Sequence, residues 1–349
     1  MGIMLLSLVL LPFTALSATP NSVQSAGNSG KGKVVVANRA SGTISIIDVA
    51  TDQVIETISL PGTNPAQPMY VNYSRRMDQF FVGDRANNQV VAFDADSFDV
   101  IGTIPAGNGV FHMWTNPNSK QLWVNNDIDN TITVIDVRTH SVIATIDLPA
   151  DLVAQGGKPH DVVLSSNNRY AYVSMVGIAG PNDYVLKYST RHFAEQARAA
   201  VGKDPHLSVS NRPNELYVPT QNANQVRVLR QSDLSLITDI PASAAHGAGM
   251  RGDGQIFYTT NISGGGIGGL ITVDIQGQNA NTVIGTTDTP FIIPHNIAVT
   301  SNGKKVYVTH SGGTAEKVSI YTASKSNPIP VLVGDVTVGL NPFGLAYVP

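Results

Sequence analysis

The stretch LWVNNDIDNTITVIDVRTHSVIATI, running from Leu122 to Ile146, decides the fold. Apolar residues gather in Leu122–Val124, Ile132–Ile135 and Val142–Ile146, alternating with polar ones through Thr131–Val134, and clusters of Asn, Asp, Thr and His separate the runs. A period of two bounded by turn-forming residues predicts three short antiparallel strands. The same phrase recurs as VVVANRASGTISIIDVATDQVIETI from Val34 and as LYVPTQNANQVRVLRQSDLSLITDI from Leu216. A further strand precedes the unit in the style of PHDVVLSSNNRYAYV from Pro159 and PHNIAVTSNGKKVYV from Pro294. Four short strands repeated about every 40 to 50 residues predict propeller blades.

Units begin near Lys31, Asn64, Asn108, Ala154, Lys203, Ala244 and Phe291. The first lacks its leading strand, and NPFGLAYVP from Asn341 is a spare one that fits the gap. The expected fold is therefore all-β: a seven-bladed propeller of four-stranded antiparallel blades over residues 31–349, its ring closed by the C-terminal strand. Closure of this kind removes a sheet edge that would otherwise lie open.

Before the repeats, Ile3 to Leu16 form an apolar run followed by small residues. The run is short for a membrane span and reads as a secretory signal over residues 1–18, with a retained anchor as the alternative because no basic residue precedes it. Residues 19–30, rich in Ser, Asn and Gly, read as a flexible linker. A periplasmic or extracellular protein with no transmembrane span in its mature chain is expected.

Composition narrows the chemistry. Charged residues make up 13% of the 349 and the net charge is −3, so the basic surplus that phosphate-backbone binding requires is missing. Nucleic acid is not an expected partner. The chain has no cysteine, which excludes disulfides and thiolate ligands. Any metal must be held by nitrogen, oxygen or thioether.

The segments YVSM (172–175), YVPT (217–220), YVTH (307–310) and WVNN (123–126), each followed by a polar turn and an alternating strand, resemble the YVTN family of β-propeller repeats. That resemblance covers about Lys31 to Pro349 and implies the fold, while similar repeats serve surface-layer proteins, periplasmic propellers and domains of cofactor-bearing oxidoreductases. Function has to come from the site.

Aligning the units on these segments places His112, His160, His206, His246 and His295 in one repeated position, at the start of the innermost strand of five successive blades. Met69 and Phe343 fill the position in the other two. Strand direction puts this position on one face, around the axis, with His310 on the same face and His140 and His192 in turns on the opposite one. Imidazole is the common nitrogen ligand of copper, iron and zinc, and a cluster poor in carboxylates disfavours magnesium and calcium. The five histidines are the expected metal ligands. His310, Met69, Met175, Asp161, Asp204, Lys158 and Lys203 are further candidates, the two aspartates as partners that orient ligating imidazoles. Copper is the first expectation, encouraged by the thioethers, with iron and zinc as alternatives. The nitrous-oxide-reductase propeller, which holds a copper cluster by histidines, and the carotenoid oxygenases, which hold iron by four, are similar in fold, although neither pattern is complete here.

A repeated Pro-His also has a structural reading, in which each imidazole satisfies a buried hydrogen bond. Two functions therefore stand. One is an exported metalloprotein with a small-molecule substrate at the histidine face, a copper or iron oxidoreductase or a metal carrier. The other is a metal-free scaffold that binds a protein or a cofactor. No individual catalytic residue is singled out. Gly264, Gly266 and Gly269 satisfy G-x-G-x-x-G without a strand-to-helix context, and Asp127, Asp129 and Asn130 lack the rest of a calcium loop.

Overall fold

A computed structural model describes residues 32–210, 214–277 and 280–349, so the N-terminal apolar run and the linker lie outside the described residues. Seven four-stranded antiparallel sheets follow one another around an axis. The first is completed by Pro342–Val348, which pairs with Lys33–Asn38 in the register Val34↔Tyr347 and Val36↔Leu345. The C-terminal strand thus closes the ring as the repeat count requires.

Why alternating strands assemble this way is legible in their burial. The second and third strands of a blade, such as Gln121–Asn126 and Thr131–Asp136, are buried over four consecutive residues, so both faces of the sheet are covered. Blades stack face to face, and each seam holds its own apolar cluster. Val35, Ile44, Phe80 and Val91 fill the seam between blades one and two, and Val36, Ile47, Tyr307 and Val318 fill the closing seam between seven and one. Burying one such side chain is favourable by about 1.5–3 kcal/mol, and seven seams repeat the gain without leaving an open end. The outermost strands have one wet face, and Ile55, Ile101, Ile143 and Leu236 stay exposed on them.

Turn chemistry sets the opposite face. Asp48, Asp94 and Asp136 accept hydrogen bonds from backbone N–H groups two and three residues on, at 2.8–3.0 Å, and begin the turns into the outermost strands. His140 occupies the left-handed position of such a turn, at φ 53°, with Nε2 3.0 Å from Gln79 Oε1. It is remote from the axis, as strand direction predicts. Among the described residues no helix is long and apolar enough to cross a membrane.

Candidate functional site

Six of the seven innermost strands begin with a local irregularity that the sequence conceals. In blade three Val110 pairs with Asn126 and Met113 with Val124, so two residues, Phe111 and His112, are set against one. The same bulge holds Met69-Tyr70, His160-Asp161, His246-Gly247, His295-Asn296 and Phe343-Gly344. Blade five has no extra residue: Pro205 faces Thr220, Ser208 faces Tyr217, and His206 stands alone. Bulges re-aim side chains at strand ends, and here they produce two layers around the axis.

The outer layer is a circuit of rings. Centroids are 4.7 Å apart for Phe111–His160, 4.8 Å for His160–His206, 3.7 Å for His206–His246, 4.7 Å for His246–His295, 4.3 Å for His295–Phe343 and 6.0 Å for Phe343–Phe111. Beneath it an axial cavity of about 350 Å³ is lined by Tyr70, His112, Asp161, His206, His246 and Asn296, among others.

Asp161 is the charged hub of the two layers. Its Oδ1 lies 3.0 Å from Nδ1 of His160 and 3.7 Å from Nδ1 of His206, and its Oδ2 accepts the N–H of Leu207 at 2.9 Å. Burial alone raises its pKa, but the charges of His112 and His206 and the hydrogen bond of His160 overturn that and hold it well below the usual carboxylate range. For His160 burial is likewise outweighed, by the hydrogen bond and charge of Asp161, and its pKa is raised. For His246 and His295 the charge of Asp161 acts in the same direction but does not offset burial. Burial and neighbouring imidazoles depress His246 well below its ordinary value, and burial pushes His295 down to about 3. Tyr70 reaches over the cavity, its phenol pushed up by burial and by Asp161 against a hydrogen bond with Asn296.

The tautomers follow from the neighbours. Gln221 Oε1 accepts Nδ1–H of His246 at 2.8 Å, and Asp161 accepts Nδ1–H of His160, which leaves a lone pair on Nε2 of each. Nδ1 of His295 meets the Asn296 amide at 2.8 Å and Phe343 O at 3.4 Å, and the shorter contact, in which Asn296 donates, favours the proton on Nε2. The Nε2 atoms of His206 and His246 are buried and meet no hydrogen-bonding group. Asp204, at φ 59°, lies beside them with Oδ1 3.8 Å from Nε2 of His206.

Four of the five histidines therefore share the outer layer, and His112 does not. The bulge puts Phe111 where the alignment puts His112, which instead corresponds to Asp161, accepts a hydrogen bond from Val162 N at 3.1 Å and packs against Tyr70 at 4.4 Å. No proline anchors the register in that blade, and the strand after the bulge is too short for the shift of phase to be read from its alternation. His310 is also apart: Ile292 O lies 3.1 Å from its Nδ1 and Ser319 Oγ 2.8 Å from its Nε2, so both ring nitrogens are occupied. Met175, paired with Pro159 as His310 is with Pro294, belongs to the apolar seam of blades three and four. Met69 keeps the aligned position in blade two, across the ring from blades five and six. Lys203 donates to Ile178 O and to Asp183 Oδ1, the latter at 3.0 Å, tying two blades together, and Lys158 is exposed.

Sequence reasoning omitted Phe111, Tyr70, Asn296 and Gln221. The first three follow or precede an aligned position by one residue, and Gln221 begins a 3-10 turn, Gln221–Ala223, after the second strand of blade five. Only the Pro-x-x spacing at Pro68, Pro159, Pro294 and Pro342 signals the bulge.

A family model described as "Lactonase, 7-bladed beta-propeller" matches residues 15–251. No curated protein matches in sequence. Solved structures share the fold at low identity. A candidate 6-phosphogluconolactonase from Bacteroides fragilis superposes with a TM-score of 0.71 at 17% identity, over 93% of this chain and 99% of its own. The periplasmic gluconolactonase of Pseudomonas aeruginosa gives 0.71 and 17%, over 91% and 99%. Hydrazine synthase of Kuenenia stuttgartiensis gives 0.65 and 14%, over 80% and 89%.

Proposed function

The chain belongs to the lactonase family of seven-bladed β-propellers, and from that premise we propose that it hydrolyses a cyclic ester at its histidine face. The observation that carries this reading is the pair His160–Asp161, with Nδ1 and Oδ1 3.0 Å apart. Ring opening of a lactone needs a base that takes a proton from water as its oxygen attacks the carbonyl, and a donor for the oxygen that leaves. Asp161 fixes the His160 tautomer, so Nε2 is the basic atom, and it stabilises the imidazolium formed when that atom takes the proton. His160 is also the most accessible of the four ring histidines, with 18% of its side chain exposed. His295, protonated on Nε2, is a neutral donor on the far side of the same layer.

Within the family we read the blades as YVTN-type repeats, on the segments ending in Met175, Thr220 and His310, and we read the apolar N-terminal run as an export signal. A sugar lactone is the substrate class suggested by the gluconolactonases that share the fold. The test is a purified chain assayed by proton release on δ-gluconolactone and its 6-phosphate, against the spontaneous rate. Turnover that disappears in His160→Gln and persists in His192→Ala supports the reading. No rate above background on any five- or six-membered lactone overturns it.

A further inference from the structure

We propose that Asp204, His206 and His246 form a three-ligand site for a divalent first-row transition metal ion of the zinc type. The inference is independent of the hydrolytic reading, because it rests on donor atoms and not on the base.

Three observations converge. One ligand atom from each of the three residues lies within 4.8 Å of the others. Both imidazoles are more than nine-tenths buried, with 4% of the His206 side chain and 7% of His246 exposed, yet Nε2 of each meets no hydrogen-bonding group. An orphaned buried acceptor costs about 1–3 kcal/mol, and two in one place mark a position where something else binds. Finally, His246 is pre-set as a ligand by Gln221 Oε1, which accepts from its Nδ1 at 2.8 Å, and His206 has the carboxylate of Asp161 on its Nδ1 side, 3.7 Å away. Such partners on the remote nitrogen are the usual support of a metal-binding imidazole.

Asp204 is built into place as well. Its left-handed backbone, its N–H bonded to Asp183 Oδ2 at 2.9 Å and its carbonyl accepting Gln221 N at 3.2 Å hold the loop beside the imidazoles. At 29% exposure the carboxylate sits on the solvent side and gives the ion an entry path. Tetrahedral zinc with nitrogen and oxygen at about 2.0–2.2 Å needs ligand atoms roughly 3.4 Å apart. The 3.8 Å between His206 Nε2 and Asp204 Oδ1 closes to that by a small rotation of the exposed carboxylate. Two imidazoles and one carboxylate leave a coordination position for water or a substrate oxygen. The set contains no thioether, since Met175 is in an apolar seam and Met69 is across the ring.

Cobalt(II) and zinc titrated into the dialysed full-length chain, carried on a tag without histidine, test this directly. Calorimetry should give one ion per chain, and cobalt should give visible absorption bands of low coordination number. Asp204→Asn, which tolerates the left-handed backbone, should weaken binding at least about tenfold, and Gln221→Leu by about 10–100-fold through the lost Nδ1 partner. His206→Ala with His246→Ala should abolish it, while His192→Ala leaves it unchanged. Absence of stoichiometric binding of either ion by the parent chain overturns the proposal, as does binding unaffected by Asp204→Asn. Because the readout is binding, failure here and failure of lactone hydrolysis are separate results.

Discussion

His310 and Ser319 are joined by a hydrogen bond of 2.8 Å in the place where Asn38 donates to Ser45 and Asn126 to Thr133 at 2.9 Å each, but with its direction reversed: Ile292 O takes the Nδ1 proton of His310, so Nε2 accepts from the Ser319 hydroxyl. All three side chains, Asn38, Asn126 and His310, end the second strand of a blade and reach the third residue of the strand beside it. His310 is thus an Asn substitute in a repeated structural position.

His310→Asn should therefore leave stability at pH 7.5 within about 1 kcal/mol of the parent, whereas His310→Val should cost about 1–3 kcal/mol by stranding Ser319. The pH dependence should change too. Burial pushes the His310 pKa down to about 4. The folded state then resists a proton that the unfolded state accepts near 6.5, so stability is full above that value and falls as pH drops from about 6.5 to 4, by up to about 3 kcal/mol. Urea melts of parent and His310→Asn across this window should converge in neutral buffer and diverge in acid, with the variant more stable.

Asp161→Asn is expected to remove the charge that orients His160 while keeping an acceptor for Leu207 N. On the proposed mechanism kcat for lactone hydrolysis falls by about 10²–10⁴ with little change in KM. An activity within threefold of the parent, in a variant with an unchanged melting temperature, removes His160–Asp161 from the reaction.

Two glycines make a matched pair. A Cβ on Gly247 would stand 1.9 Å from the carbonyl oxygen of His295, and the obstacle is backbone, so Gly247→Ala should destabilise by more than about 2 kcal/mol and loosen the His246–His295 contact. Gly334, in the outermost strand Val331–Thr337, has nothing within 4 Å of its notional Cβ. Gly334→Ala should be neutral or stabilising by up to about 1 kcal/mol. Thermal denaturation of both variants checks the ordering.

Removing residues 342–349 should open the ring. The deletion strips the innermost strand from blade one and exposes the edge of Lys33–Asn38. Aggregation or a broad, uncooperative melt is the expected outcome in light scattering and calorimetry. A soluble truncation with the parent's melting curve is incompatible with closure by that strand.

Export has a simple check in mass spectrometry of the chain recovered from its native host. Cleavage after the apolar run should leave an N-terminus near Ala18 or Thr19. Recovery of intact Met1 in a cytosolic fraction contradicts it.

Strand pattern, blade number and ring closure were written in the sequence, because a two-residue period, turn residues and a repeated phrase are local properties that survive in one dimension. The grouping of His160, His206, His246 and His295 was legible for the same reason: equal positions in equal blades face one axis. What only tertiary structure decided is finer than a repeat. The one-residue bulge that sends His112 inward and Phe111 to the mouth, and its absence around His206, depend on pairing across strands. The division of labour among imidazoles that look alike in sequence depends on neighbours from other blades. Asp161 on blade four faces His206 of blade five, and Gln221 of blade five fixes His246 of blade six. A histidine's chemistry is set by what its second nitrogen meets: for His160 and His295 that is the next residue, turned toward the ring by the bulge, and for His206 and His246 it is a side chain of the preceding blade, which only the assembled ring brings near.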